Sequence, residues 1–168
     1  MKKFNKPIIV TGAAGFIGSK LVEKLLNNGE EIIGIDNINN YYDPNLKNAR
    51  LKNIEKQAIK GSNWNFEKIS ITDYLSLNKV FIKYKPRLVI NLAAQAGVRY
   101  SIENPEQYLN SNLIGFYNIL EAIKINKVRN FYFASSSSVY GDKKKFPLSE
   151  NFSTDFPKSF YAATKKCN

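Results

Sequence analysis

The sequence has no histidine and a single cysteine, Cys167, among its 168 residues. The missing histidine removes His-based triads, imidazole general bases and the usual zinc ligand sets. Tyr, Lys, Ser and the carboxylates are left to carry any chemistry, and no metal site is expected. A lone cysteine excludes an intramolecular disulfide and fits a reducing, cytoplasmic setting. Long apolar runs are also absent: stretches such as Ile8 to Val10 fall far short of the roughly 20 residues that span a bilayer. The opening Met1-Lys2-Lys3 resembles a signal peptide, but Lys6 and Pro7 interrupt the apolar core that would have to follow, so no export signal is read. Acidic residues are scarce, 14 against 25 basic ones, giving a net charge of +11. The excess is spread over both halves of the chain, only Arg50, Arg87, Arg99 and Arg129 of the basic set are arginines, and no nucleic-acid-binding motif accompanies them. The surplus charge reads as a solvated surface that also attracts anions; neither nucleic acid nor membrane is an expected partner.

At 43% hydrophobic, the chain is long enough to bury one sizeable core. Short β-rich runs at Pro7–Thr11, Glu31–Asp36, Asn65–Ser70, Arg87–Asn91 and Asn130–Ser135 alternate with segments of helical apolar spacing at Phe16–Asn27, Leu46–Ile59, Tyr74–Tyr84 and Pro105–Ile125. Such alternation predicts an α/β domain, a parallel sheet with helices on both faces. Gly141–Ser159, with Pro147 and Pro157, is predicted to be a long loop.

At the first strand-to-helix junction stands Thr11-Gly12-Ala13-Ala14-Gly15-Phe16-Ile17-Gly18. Gly12 permits the turn, Gly15 lets backbone approach a pyrophosphate and Gly18 allows close helix–sheet packing. Asp36 closes the second strand, 18 positions after Gly18, where a carboxylate can hold the ribose hydroxyls of NAD and would repel the 2′-phosphate of NADP. The plainer alternative is that the glycines serve turns and Asp36 a strand end.

Tyr161 and Lys165 lie four positions apart, on one face of a helix if the segment is helical. A lysine ammonium beside a tyrosine favours its phenolate and so makes a useful general base. The fifth strand ends in Phe133-Ala134-Ser135-Ser136-Ser137-Ser138-Val139-Tyr140-Gly141, so hydroxyls should line the carboxyl edge of the sheet. By itself the serine run could equally be a polar turn.

Together these residues resemble the extended short-chain dehydrogenases/reductases, the NAD-dependent epimerase/dehydratase family that modifies nucleotide sugars. The resemblance covers essentially the whole chain and implies a Rossmann-type, doubly wound parallel sheet. It implies that Ser136, four positions before the tyrosine of Val139-Tyr140-Gly141, hydrogen-bonds the sugar 4-hydroxyl, that Tyr161 takes its proton and that Lys165 holds the cofactor ribose and supports the phenolate. Dehydratases of the family carry an Asp-Glu pair after that serine and decarboxylases a Glu before VYG; Ser137 and Ser138 stand here. The implied reaction is therefore 4-epimerisation through transient oxidation at C4. Asp36-Asn37-Ile38-Asn39-Asn40-Tyr41-Tyr42-Asp43 and Asn91 to Ser101 look most like UDP-glucuronate 4-epimerases, which implies a UDP-sugar substrate and a part in surface-polysaccharide supply. UDP-glucose is the other substrate to weigh.

The same likeness places Phe16, Ile17, Asn37, Ile71, Ala93, Ala94 and Asn112 along the cofactor, although small residues after a strand also serve tight packing. Ser136, Ser137, Ser138 and Arg99 would face the sugar carboxylate and diphosphate, with Arg99 equally readable as a surface or pyrophosphate-facing arginine. One position departs from the family: Ser70, followed three residues later by Asp73, replaces the Asp that binds adenine. Residues 1–168 are expected to be an incomplete NAD-binding domain, with further strands and the family's substrate-binding domain lying outside them. Intact members are expected to be homodimers through the Tyr161 helix and the Pro105–Ile125 segment. A contrasting expectation is a short nucleotide-binding module without turnover.

Overall fold

The computed structural model describes residues 6–58 and 63–168. Five strands, β1 (Ile8–Thr11), β2 (Ile32–Ile35), β3 (Trp64–Glu67), β4 (Leu88–Asn91) and β5 (Asn130–Phe133), form one sheet in the order β3-β2-β1-β4-β5. Every pairing is parallel; Ile8 of β1 stands level with Ile32 on one side and Leu88 on the other. The α-helices among the described residues are α1 (Phe16–Asn27), α2 (Pro44–Gln57), α3 (Tyr74–Tyr84), α4 (Tyr100–Glu103), α5 (Pro105–Tyr108), α6 (Gly115–Ile125) and α7 (Phe160–Cys167). The order is that of a doubly wound, Rossmann-type sheet, as the family resemblance implies, and its parallel pairing is what the strand–helix alternation predicts.

Because side chains alternate along a strand, β1 feeds two cores. Ile8 and Val10 join Ile32 with Val22 and Leu26 of α1 and Leu51 and Ile54 of α2. Ile9 joins Ile33, Ile35 and Val89 with Leu77, Val80 and Phe81 of α3 and Ile119 of α6. Burial on both faces explains why the inner strands read as unbroken apolar runs. At the sheet's end, β5 is only half covered: Tyr132 is 65% exposed.

Several predicted boundaries move, each for a local reason. α2 begins at Pro44, because the Asp43 carboxylate accepts from the Asn45 N–H (2.9 Å) and proline suits the first helical position. Its predicted end, Ile59, lies outside the described residues. β3 and β5 stop at Glu67 and Phe133, short of the predicted Ser70 and Ser135. The predicted helix Pro105–Ile125 keeps its bounds, but its middle is not α-helical: between α5 and α6, Leu109–Ile114 forms a π-helical segment. A π-bulge adds a residue to a turn while leaving apolar spacing almost unchanged, so periodicity does not reveal it. The four residues of α4 are too few for a periodic signal.

Candidate functional site

The strand order reverses between β1 and β4, and in open α/β sheets the crevice at such a point takes ligands. Thr11 ties the two strand ends together: its Oγ1 donates to Asn91 Oδ1 (2.5 Å) and accepts from the Ala93 N–H (3.1 Å). The chain then turns at Gly12 with φ +67°, where a Cβ would sit 2.8 Å from the Ala93 nitrogen. A Cβ at Gly18 would sit 2.0 Å from the Gly12 carbonyl oxygen, so α1 can start this close to the strand only on glycine. Gly15 precedes α1 without a side-chain cap, and no acidic residue stands in the first turn. The first amides of α1 keep their donors for an anion, at the positive end of the helix dipole. Phe16 and Ile17, 74% and 68% exposed, form the outer lip.

An open groove runs from this loop across the sheet edge. It brings together Gly12, Gly15, Asp36, Asn37, Ser70, Ile71, Ala93 and Ala94, eight of the residues singled out in the sequence. Asp36 is buried, its Oδ2 accepting from the Ala14 N–H (3.1 Å) and its Oδ1 from the Ile38 N–H (2.9 Å), so the phosphate loop and the carboxylate are locked to one another. Ser70 faces the groove, where its hydroxyl pairs with that of Thr72 (2.7 Å). Asp73 caps α3, its carboxylate accepting from the Ser76 N–H (3.1 Å); the Ser76 side chain first and then that N–H lower its pKa.

Beyond the groove's far end lies the predicted catalytic set. Ser159 caps α7, its Oγ accepting from the Ala162 N–H (3.0 Å), and the helix packs against a 3-10 turn at Ser137–Tyr140. Ser136 leads into that turn, its Oγ accepting from the Ser138 N–H (3.2 Å). Lys165 is buried and donates to the Ala134 carbonyl (2.9 Å), with burial lowering its pKa. The Tyr161 hydroxyl forms no hydrogen bond among the described residues, to Ser136, Lys165 or any other. Asn112 lies within the π segment, and its side chain clamps Gln95 by accepting from the Gln95 N–H (2.8 Å) and donating to the Gln95 carbonyl (3.0 Å). The same amide donates to Thr164 Oγ1 (3.0 Å), so one side chain joins the loop after β4 to the Tyr161 helix. Arg99 is exposed at the start of α4 and does not line the groove.

Residues 9–168 match the family model described as GDP-mannose 4,6 dehydratase, one of the NAD-dependent epimerases and dehydratases. The chain belongs to this epimerase/dehydratase family. It is 51% identical to the protein CapI of Staphylococcus aureus over 161 residues, 96% of this chain and 47% of that protein. It is 47% identical to UDP-glucuronate 4-epimerase 4 of Arabidopsis thaliana, over 95% of this chain and 36% of that one. Among solved structures, UDP-glucose 4-epimerase of Thermus thermophilus in complex with NAD superposes with a TM-score of 0.80 at 32% identity, over 96% of this chain and 48% of that chain. The chain thus spans about half or less of the length of the relatives it matches.

In and around the groove stand residues that sequence reasoning missed. Lys47 is buried beside Asp36, its Nζ held by the Asn39 carbonyl (3.0 Å) and side-chain oxygen (2.6 Å). Burial lowers its pKa, against an upward pull from Asp36 and with a smaller downward push from Arg50. Arg50 donates to the Ala14 carbonyl (3.3 Å) and the Tyr42 hydroxyl (2.7 Å), bracing the phosphate loop from α2. Nothing in the sequence marked Lys47: its burial becomes visible only in the folded chain. Tyr41 reaches across the groove and donates to the Ala96 carbonyl (3.0 Å). Tyr108 is fully buried, and burial first, then neighbouring tyrosines, pushes its pKa up to about 12, so it remains a donor at any working pH.

Proposed function

We propose that this chain binds NAD in the groove and supplies the cofactor half of a UDP-sugar 4-epimerase. The observation that carries the proposal is the cradle from Gly12 to Gly18, closed to a Cβ at both of those glycines and open at the uncapped start of α1, with Asp36 fixed opposite it. Adenosine would lie against Asp36, Asn37, Ser70 and Ile71, the diphosphate at the loop, and the nicotinamide half toward Ala93, Ala94 and α7. Bound NAD supplies the hydride acceptor at C4 of the sugar and returns the hydride afterwards. Tyr161 removes the 4-hydroxyl proton and gives it back, while Ser136 donates a hydrogen bond to that oxygen. Lys165, anchored on the Ala134 carbonyl, presents its ammonium to the ribose and the phenolate.

UDP-glucuronate is the proposed sugar nucleotide. Relatives carrying that activity in their names are 45–47% identical to this chain. Ser137 and Ser138 offer hydroxyls to a sugar carboxylate without a like charge to repel it. A second reading, UDP-glucose as substrate, is favoured by the solved structures, whose printed names are those of UDP-glucose 4-epimerases. Turnover of the two sugar nucleotides by a polypeptide containing this chain separates the readings. The exposed apolar side chains Ile114, Tyr117 and Leu120 support a homodimer through α6 and α7, and a place in surface-polysaccharide supply in the cytoplasm follows from the substrate. No helix among the described residues is long and apolar enough to cross a membrane.

Calorimetry on the full chain tests the core of the proposal. NAD is expected to bind more tightly than NADP, and Gly15→Asp, which sets a negative charge at the diphosphate, to abolish binding. A folded parent chain that binds neither dinucleotide would overturn it.

A further inference from the structure

Tyr161 has the hydroxyl that would take the substrate proton, yet nothing in its own hydrogen bonding fixes its ring. Among the described aromatic side chains its one ring partner is Tyr108, which meets it edge-on, centroids 6.0 Å apart and planes at 75°. Tyr108 is itself held: it is fully buried at the end of α5, and its hydroxyl donates to the carbonyls of Ala96 (2.7 Å) and Gly97 (2.5 Å). On its other side Tyr108 packs on Tyr100 (6.2 Å), and Tyr100 on Tyr41 (4.9 Å). Tyr41 donates to the same Ala96 carbonyl (3.0 Å), so the turn holding Tyr108 is tied from two sides.

We propose that Tyr108 is a positioning residue for Tyr161, its ring setting the plane and reach of the Tyr161 phenol and its hydroxyl anchoring that ring to the Ala96–Gly97 turn. A phenylalanine would fill the same space, but the two carbonyl bonds turn a packed ring into a fixed wall. The aromatic edge then limits how far the Tyr161 ring can swing about its two side-chain torsions. Such control matters because a displacement of about 1 Å at a reacting group can lower turnover on the order of 100-fold. The inference rests on the reading of Tyr161 as the proton acceptor.

The test is the order parameter of the Tyr161 ring by 13C relaxation in the tyrosine-labelled full chain, the resonance assigned by its loss in Tyr161→Phe. Tyr161 is expected to be rigid, at about 0.85, in the parent, to be loosened in Tyr108→Phe, whose ring lacks the anchor, and to fall below about 0.6 in Tyr108→Leu. A merely structural Tyr108 would lower the melting temperature in both variants and leave the Tyr161 ring rigid. That result in a folded Tyr108→Leu chain overturns the inference, and Tyr108→Met is judged by the same criterion if the leucine variant does not fold. The measurement needs neither cofactor nor turnover. Absent NAD binding, or epimerisation that survives Tyr161→Phe, would therefore sink the functional reading and leave the positioning result standing.

Discussion

At the scale of single residues, the site trades stability for chemistry most clearly at Lys165. Burial lowers its pKa below the ordinary lysine value of 10.5, so between the lowered value and 10.5 the unfolded chain binds more protons than the folded one. Stability then rises with pH across that window, and the penalty of burying the ammonium is fully present below it, at neutral pH. Lys165→Met removes the penalty at the loss of one hydrogen bond to Ala134. Thermal melts are expected to show the variant at least as stable as the parent at pH 7, with its advantage shrinking as the pH approaches 10.5, while NAD affinity drops. A variant less stable at pH 7 would mean that the Ala134 contact outweighs desolvation.

At the scale of elements, the π segment matters through what it turns inward. Asn112 is buried within it, and its amide satisfies both backbone groups of Gln95 and reaches Thr164 on α7. Asn112→Leu strands the Gln95 N–H and carbonyl. With each buried unsatisfied group costing roughly 1–3 kcal/mol, a loss of about 3 kcal/mol in urea unfolding is expected. A loss under about 1 kcal/mol would show that the loop finds other partners.

How much was legible also differs by element. The predicted bounds of α1 and α3 match the structure to the residue, because each helix shows one apolar face to a core. The inner strands are buried on both faces, so their composition alone gives them away. The π segment and α4 escaped because a bulge and a four-residue helix leave no periodic trace. The phosphate loop and Asp36 were readable because their chemistry is local: glycines at a junction, an acid at a strand end. Lys47, Arg50, Tyr41 and Tyr108 were not, since what makes each one part of the site is a neighbour distant in sequence or a burial that no spacing encodes.

Across the whole molecule, apolar side chains stand exposed at several places, from Phe16 and Ile17 beside the groove to β5 and α6. Tyr132 and Phe133 on β5 and Ile114, Tyr117 and Leu120 on α6 and the segment before it are all exposed. Exposed apolar surface favours association. Sedimentation velocity is expected to show concentration-dependent self-association of the chain, weakened by Tyr117→Lys with the fold intact by circular dichroism. Association unchanged in that variant would move the contact away from α6.

The sequence by itself determined the alternation of strands and helices, the glycine cradle at the first junction and the acid facing it, because each depends on residues close together in the chain and on periodicities of two and 3.6. Only the tertiary structure decided which side chains stand around Tyr161, how Asn112 joins the β4 loop to α7, and that Lys47 lies beside Asp36. Those relations come from the packing of segments tens of residues apart, and short-range packing forces between distant segments leave no regular mark on the sequence that encodes them.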